Sequence, residues 1–163
     1  MLKQIAVLLT FVLVPSTLSA QSKSPIAGAW RVAEVTSTGS NSWTNSRPQP
    51  GLYLFTAKHY SIVRVLSDDP RPDEPEDSEK ATAAALRAAW GPLQAQSGTY
   101  EVVGGTLNLL PVITKRPQAM KAGTRPAVYT FSVQGNTLTL EQQSTAEGTP
   151  ARNRQILKLT RME

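Results

Sequence analysis

Cysteine is absent from all 163 residues. Its absence excludes a disulfide framework, a thiol nucleophile, a cysteine-based metal cluster and a lipid-modified cysteine anchor. Histidine occurs once, at His59, with no G-x-S-x-G element near it. One imidazole supplies neither the base of a serine hydrolase in its required setting nor the three or four N/S ligands of a zinc site, so no catalytic residue, metal or cofactor is expected. Long apolar runs are scarce as well. The run from Ile5 to Val14 has roughly half the length of a membrane-spanning helix, and Pro15 breaks it, which argues against a stable membrane anchor.

What that opening does have is the pattern of an export signal: positive Lys3, the apolar run, then the small residues Ser16, Ser19 and Ala20. Cleavage after Ala20 is expected. Residues 1–20 then form a signal peptide and residues 21–163 a single domain, placed in the periplasm or secreted. A chain of that size builds one core without a staple.

Lysine and arginine number 17 against 12 aspartates and glutamates, a formal net charge of +5. Seven of those acids crowd between Asp68 and Glu79, where Arg71 is the only base. The rest of the domain is therefore distinctly basic, which suits anionic small molecules or a well-solvated surface. The bases form no dense run, and nucleic acid is not an expected partner. The acidic segment lacks the spacing of a calcium loop, and its prolines resist wrapping an ion.

Runs of β-forming residues punctuated by turn signals fill most of the domain. Ala27 to Ser37 reads as a first strand, followed by a Ser-, Asn- and Pro-rich loop from Thr38 to Pro50. Gly51 to Phe55 and Tyr60 to Leu66 form a hairpin pair. Ser97 to Val103 and Thr106 to Ile113 flank Gly104-Gly105, and Ala127 to Gln134 and Thr137 to Gln143 flank Gly135-Asn136, both tight-hairpin signals. Gln155 to Arg161 is the last strand. One helix interrupts them, capped by Ser78, with Glu79 in its first turn and an alanine-rich body to Trp90, where Gly91-Pro92 stops it. Leu86 and Trp90 share one face and are expected on the sheet. Alternation directs Leu107, Leu109 and Ile113 to one side, as it does Tyr129, Phe131 and Val133, Leu138 and Leu140, and Leu157 and Leu159. Eight strands joined mostly by short connections predict an all-β fold, an eight-stranded antiparallel up-and-down barrel with one inserted helix.

Gly28-Ala29-Trp30 is a G-x-W element at the head of the first strand. It is followed in order by the glycine-led Gly51-Leu52-Tyr53-Leu54-Phe55, by Gly98-Thr99-Tyr100 after the helix, and by Leu138-Thr139-Leu140 after a polar turn. In this order the motifs resemble the bacterial lipocalin-like domain family, within the lipocalin and calycin barrels. The resemblance spans nearly all of the mature domain and departs from the family pattern at the acidic segment and at Thr114-Lys115-Arg116-Pro117. It implies structural roles for Gly28, Trp30 and Arg161, with the tryptophan closing one barrel end under the arginine of the last strand. It also implies a carrier of a small ligand, and the strand count and hairpin signals lead us to expect a monomer.

The expected ligand site is an apolar cavity with a few polar groups. Tyr53, Tyr60, Tyr100 and Tyr129 each pair an apolar ring with a hydroxyl, and Leu109 and Phe131 lie on the alternating apolar faces. Arg64 is the sharpest candidate. One register puts it inside with Tyr60, Ile62 and Leu66, where it needs an acidic partner or an anionic ligand. The other puts Val63 and Val65 inside and leaves Arg64 in water. The function expected is binding of an apolar or amphipathic ligand, anionic and lipid-like if Arg64 faces inward; a loop-mediated interaction or inhibitor module with a filled barrel is the alternative.

Overall fold

A computed structural model describes residues 24–77, 79–145 and 153–163. The expected signal peptide and the helix-capping role of Ser78 lie outside them. The strands are β1 (Gly28–Ser37), β2 (Trp43–Asn45), β3 (Gly51–Phe55), β4 (His59–Val65), β5 (Leu93–Val103), β6 (Thr106–Thr114), β7 (Ala127–Gln134), β8 (Thr137–Ser144) and β9 (Gln155–Arg161), with helix α1 (Ala83–Trp90) between β4 and β5. Each strand from β3 to β8 pairs antiparallel with the next, and β1 pairs with both β3 and β9. That closes an eight-stranded up-and-down barrel in which each of those strands has a partner on both sides.

The extra strand is β2. The sequence reads its residues as loop because polar and turn-forming types surround Trp43-Thr44-Asn45. It forms because β1 outruns β3: β3 pairs with Gly28 to Arg31, and β2 takes the free edge from Val35 to Ser37. The helix also differs from expectation. Its cap is Thr82, whose Oγ1 accepts from the Ala85 backbone at 3.1 Å, so no acid lies in the first turn. Glu79 belongs instead to a turn around Asp77. Nor does the Trp90 ring pack on the sheet. It is 42% exposed and lies under the Arg71 guanidinium, 5.6 Å from its centroid, while Ala89 is the buried residue of the helix.

Three bulges set which residues face inward. In β1 the pairing passes over Ala33, in β6 over Val112 and in β8 over Gln143. Each extra residue reverses the inward–outward parity of the strand beyond it. Strict alternation sends Ile113 to the interior with Leu107 and Leu109; past the bulge at Val112 it is 64% exposed, and Pro111 is the buried residue. Leu66 lies just beyond β4 and is also exposed.

The core fills the lower part of the barrel. Trp30, Ile62, Leu107, Leu109, Leu138, Leu140, Leu157 and Leu159 are all essentially inaccessible and belong to one cluster. Trp30 seals the bottom. Its Nε1 donates to the Ile26 carbonyl at 2.8 Å, and the Arg161 guanidinium lies over its ring at 4.0 Å from the centroid. Arg161 also donates to the Ala27 carbonyl. The glycine of the G-x-W element is explained by this arrangement: Gly28 has φ +132°, and a Cβ there would lie 2.7 Å from Arg161 Nη1.

Candidate functional site

β4 reads His-Tyr-Ser-Ile-Val-Arg-Val, and its polar and apolar positions fit either face equally well. Pairing decides between them. Leu52 faces Val63 and Tyr53 faces Ile62, so the aromatic-led set Tyr60, Ile62 and Arg64 points inward and Val63 is 46% exposed. Arg64 is only 9% exposed. Opposite it stands Gly51, where a Cβ would come within 2.8 Å of the Arg64 Cβ. The missing side chain leaves the arginine its room.

The guanidinium is held by two neutral oxygens. Its Nε donates to Gln94 Oε1 at 2.7 Å and its Nη2 to Gln155 Oε1 at 2.9 Å. The ion pairs among the described residues are Lys80 with Asp77, Arg154 with Glu141 and Lys158 with Glu34; none includes Arg64. Amide oxygens orient a buried cation and satisfy part of its hydrogen bonding. They do not neutralise it, and an uncompensated buried charge is costly.

Arg64 forms part of the lining of a cavity of about 560 Å3 at the barrel end opposite Trp30, where β4, β6 and β8 end and β5, β7 and β9 begin. Its walls are more polar than an apolar pocket would be: Gln94, Gln96, Gln142, Gln155 and Thr114 share them with Leu93, Ala95 and Tyr129. Lys115 and Arg116 stand at the same opening, and no Asp or Glu is among the described lining residues. The Lys115 ammonium donates to the carbonyls of Trp90, Gly91 and Leu93. All three of its protons are thus engaged, at a helix C-terminus where a cation is favoured. Lys115 pins the connection from α1 to β5 onto the end of β6 and so fixes one side of the mouth.

Of the sequence-derived candidates, Arg64 and Tyr129 come together in this cavity. Tyr53, Tyr60 and Leu109 lie in the core beneath it, and Phe131 packs against that core from its rim. Tyr100 belongs to the closed end, where its hydroxyl donates to the Thr56 carbonyl at 2.6 Å and its ring meets Phe55 edge-on. Burial raises the pKa of Tyr129, the Tyr53 phenol raises it further, Arg64 opposes the shift and Tyr60 adds to it. Burial likewise raises Tyr60, whose hydroxyl has no hydrogen-bond partner among the described residues. It raises Tyr53 against the pull of Arg64. These phenols stay protonated at any physiological pH and offer hydrogen-bond donors.

Sequence reasoning passed over Gln94, Gln96, Gln142, Gln155 and Thr114. Gln94 and Gln96 fall in the first residues of β5, before the point where its apolar pattern becomes visible. Thr114 depends on the bulge at Val112 for its surroundings, whereas Gln142 continues the inward alternation of Leu138 and Leu140. The available signal was the i, i+2 spacing of Gln94 and Gln96 around Ala95, which places two amides on one face of an extended chain.

No family model matches this chain, and no curated protein matches its sequence. Among the described residues no group of three or more His, Asp or Glu side chains is placed to hold a metal ion, and no helix is long and apolar enough to cross a membrane.

Proposed function

We propose that the protein is an exported, monomeric binder of a small amphipathic acid, built on a lipocalin-like barrel, and that the ligand's acid group sits on Arg64. The observation that carries this reading is a buried arginine at the floor of a cavity of about 560 Å3, held by two neutral amide oxygens. A cavity of that size falls in the range typical of small-molecule sites. The absence of carboxylates from its described lining favours an anion over a cation or an uncharged sugar. Assignment to the lipocalin-like family rests on the order of its motifs together with the closed barrel. Export rests on the leader pattern.

A second reading has one observation in its favour. Val63, Val112 and Ile113 are all markedly exposed on the outside of β4 and β6, which suits contact with another protein. Native mass spectrometry of the protein purified from its own host separates the two. The binding reading expects a non-covalent adduct that is released on denaturation and proves to be an organic acid. Protein that carries no adduct, and gains none when incubated with small acids, speaks for the interaction module.

A further inference from the structure

We propose that the cavity takes a compact carboxylate whose body carries hydrogen-bonding groups, an N-acyl amino acid being the simplest representative, inserted acid-first with its far end at the mouth. The proposal rests on the binding reading above and adds ligand class and orientation.

The acid end is fixed by donor counting. A guanidinium has five N–H donors. Gln94 takes the one on Nε and Gln155 one of the two on Nη2, which leaves three. Each glutamine turns its oxygen toward the cation, so its carboxamide nitrogen faces elsewhere. Both residues line the cavity, and no hydrogen bond among the described residues engages either nitrogen. The groups gathered around Arg64 are thus rich in donors, as an oxyanion requires. The two glutamines act as specificity residues: they aim the arginine without cancelling its charge.

Orientation and size are set by the surroundings below and above. Beneath Arg64 the barrel is solid, with Ile62, Leu107, Leu109, Leu140 and Leu157 each no more than 2% exposed. A ligand tail has no room to continue downward, so the body must run up toward the mouth. Along that path Gln96, Gln142, Thr114 and Asn153 interrupt the apolar wall formed by Leu93 and Tyr129. A plain alkyl chain against such a wall strips water from amide and hydroxyl groups and returns no hydrogen bonds. An amide in the ligand body returns them.

Isothermal titration of the protein with three probes tests this. N-hexanoylglycine has the acid and the amide body; nonanoate has the same chain length and charge without the amide; N-hexanoylglycinamide keeps the body and loses the charge. N-hexanoylglycine is expected to bind about tenfold tighter than either of the others. Gln142→Leu should narrow the gap between the two acids, and Gln94→Glu, which sets a carboxylate beside Arg64, should weaken both acids by about tenfold. Nonanoate binding as tightly as N-hexanoylglycine overturns the proposed ligand class and leaves the acid-binding reading standing. Failure of both acids to bind overturns the binding reading itself.

Discussion

Trp30→Ala is expected to lower the free energy of unfolding by about 3–5 kcal/mol, the usual cost of emptying a large aromatic site. The magnitude is set by what the ring does at once. It is wholly buried at the barrel bottom, its Nε1 satisfies the Ile26 carbonyl, and its face supports the Arg161 guanidinium. Truncation leaves a void, an unpaired buried carbonyl and an arginine without its platform. Domains of this size have total stabilities of roughly 5–15 kcal/mol, so the variant should lose a large fraction of its stability. Trp30→Phe separates the contributions, since it keeps most of the filling and loses the N–H; its expected cost is about 1–3 kcal/mol. Equilibrium urea unfolding followed by circular dichroism measures both. An alanine variant within about 1 kcal/mol of the wild type, where only peripheral substitutions normally fall, would contradict the role given to this end of the barrel.

Gly98→Ala should carry the next largest cost, at the upper end of the roughly 1–3 kcal/mol typical of overpacking. A methyl group there would collide with the Leu110 carbonyl oxygen and lie 2.8 Å from the Val112 nitrogen and 2.9 Å from the Pro111 Cα. These are backbone atoms of the neighbouring strand at its bulge, and they cannot swing aside as a side chain can. Gly105→Ala is the control, because a Cβ there meets nothing within 4 Å. Thermal unfolding should show a clear loss for Gly98→Ala and little change for Gly105→Ala. Equal melting temperatures for the two would mean that the bulge at Val112 yields easily. The turn of Thr114 toward the cavity would then need another cause.

The contrast between these positions explains how much of the molecule was readable from sequence. Strand existence and the closed barrel were legible because two hairpin signals, Gly104-Gly105 and Gly135-Asn136, and the alternation in β7, β8 and β9 are local properties of the chain. The G-x-W end was legible only through the family resemblance, which implies a basic residue of the last strand over that tryptophan; no local pattern links Trp30 to Arg161. Bulges were not, since the parity reversal that exposes Ile113 arises from pairing between strands and leaves no mark in the spacing of β6 alone. The β2 edge and the start of α1 at Thr82 likewise depend on where neighbouring elements end. For Arg64, sequence supplied two registers and pairing with β3 selected one. Its amide partners lie 30 and 91 residues away in the chain, a distance over which no local pattern operates.

Arg64 as the seat of an acid group is the central claim, and the most direct test compares an acid with its neutral analogue in two proteins. Nonanoate and nonanol differ only at the head. Titrated into the wild type, nonanoate should bind tighter by at least about 1.5 kcal/mol, the lower end for a charged hydrogen bond. In Arg64→Met that advantage should vanish through loss of the acid's affinity, while nonanol binds the two proteins alike. Equal binding of acid and alcohol by the wild type, or an acid preference that survives in Arg64→Met, would contradict the role assigned to Arg64.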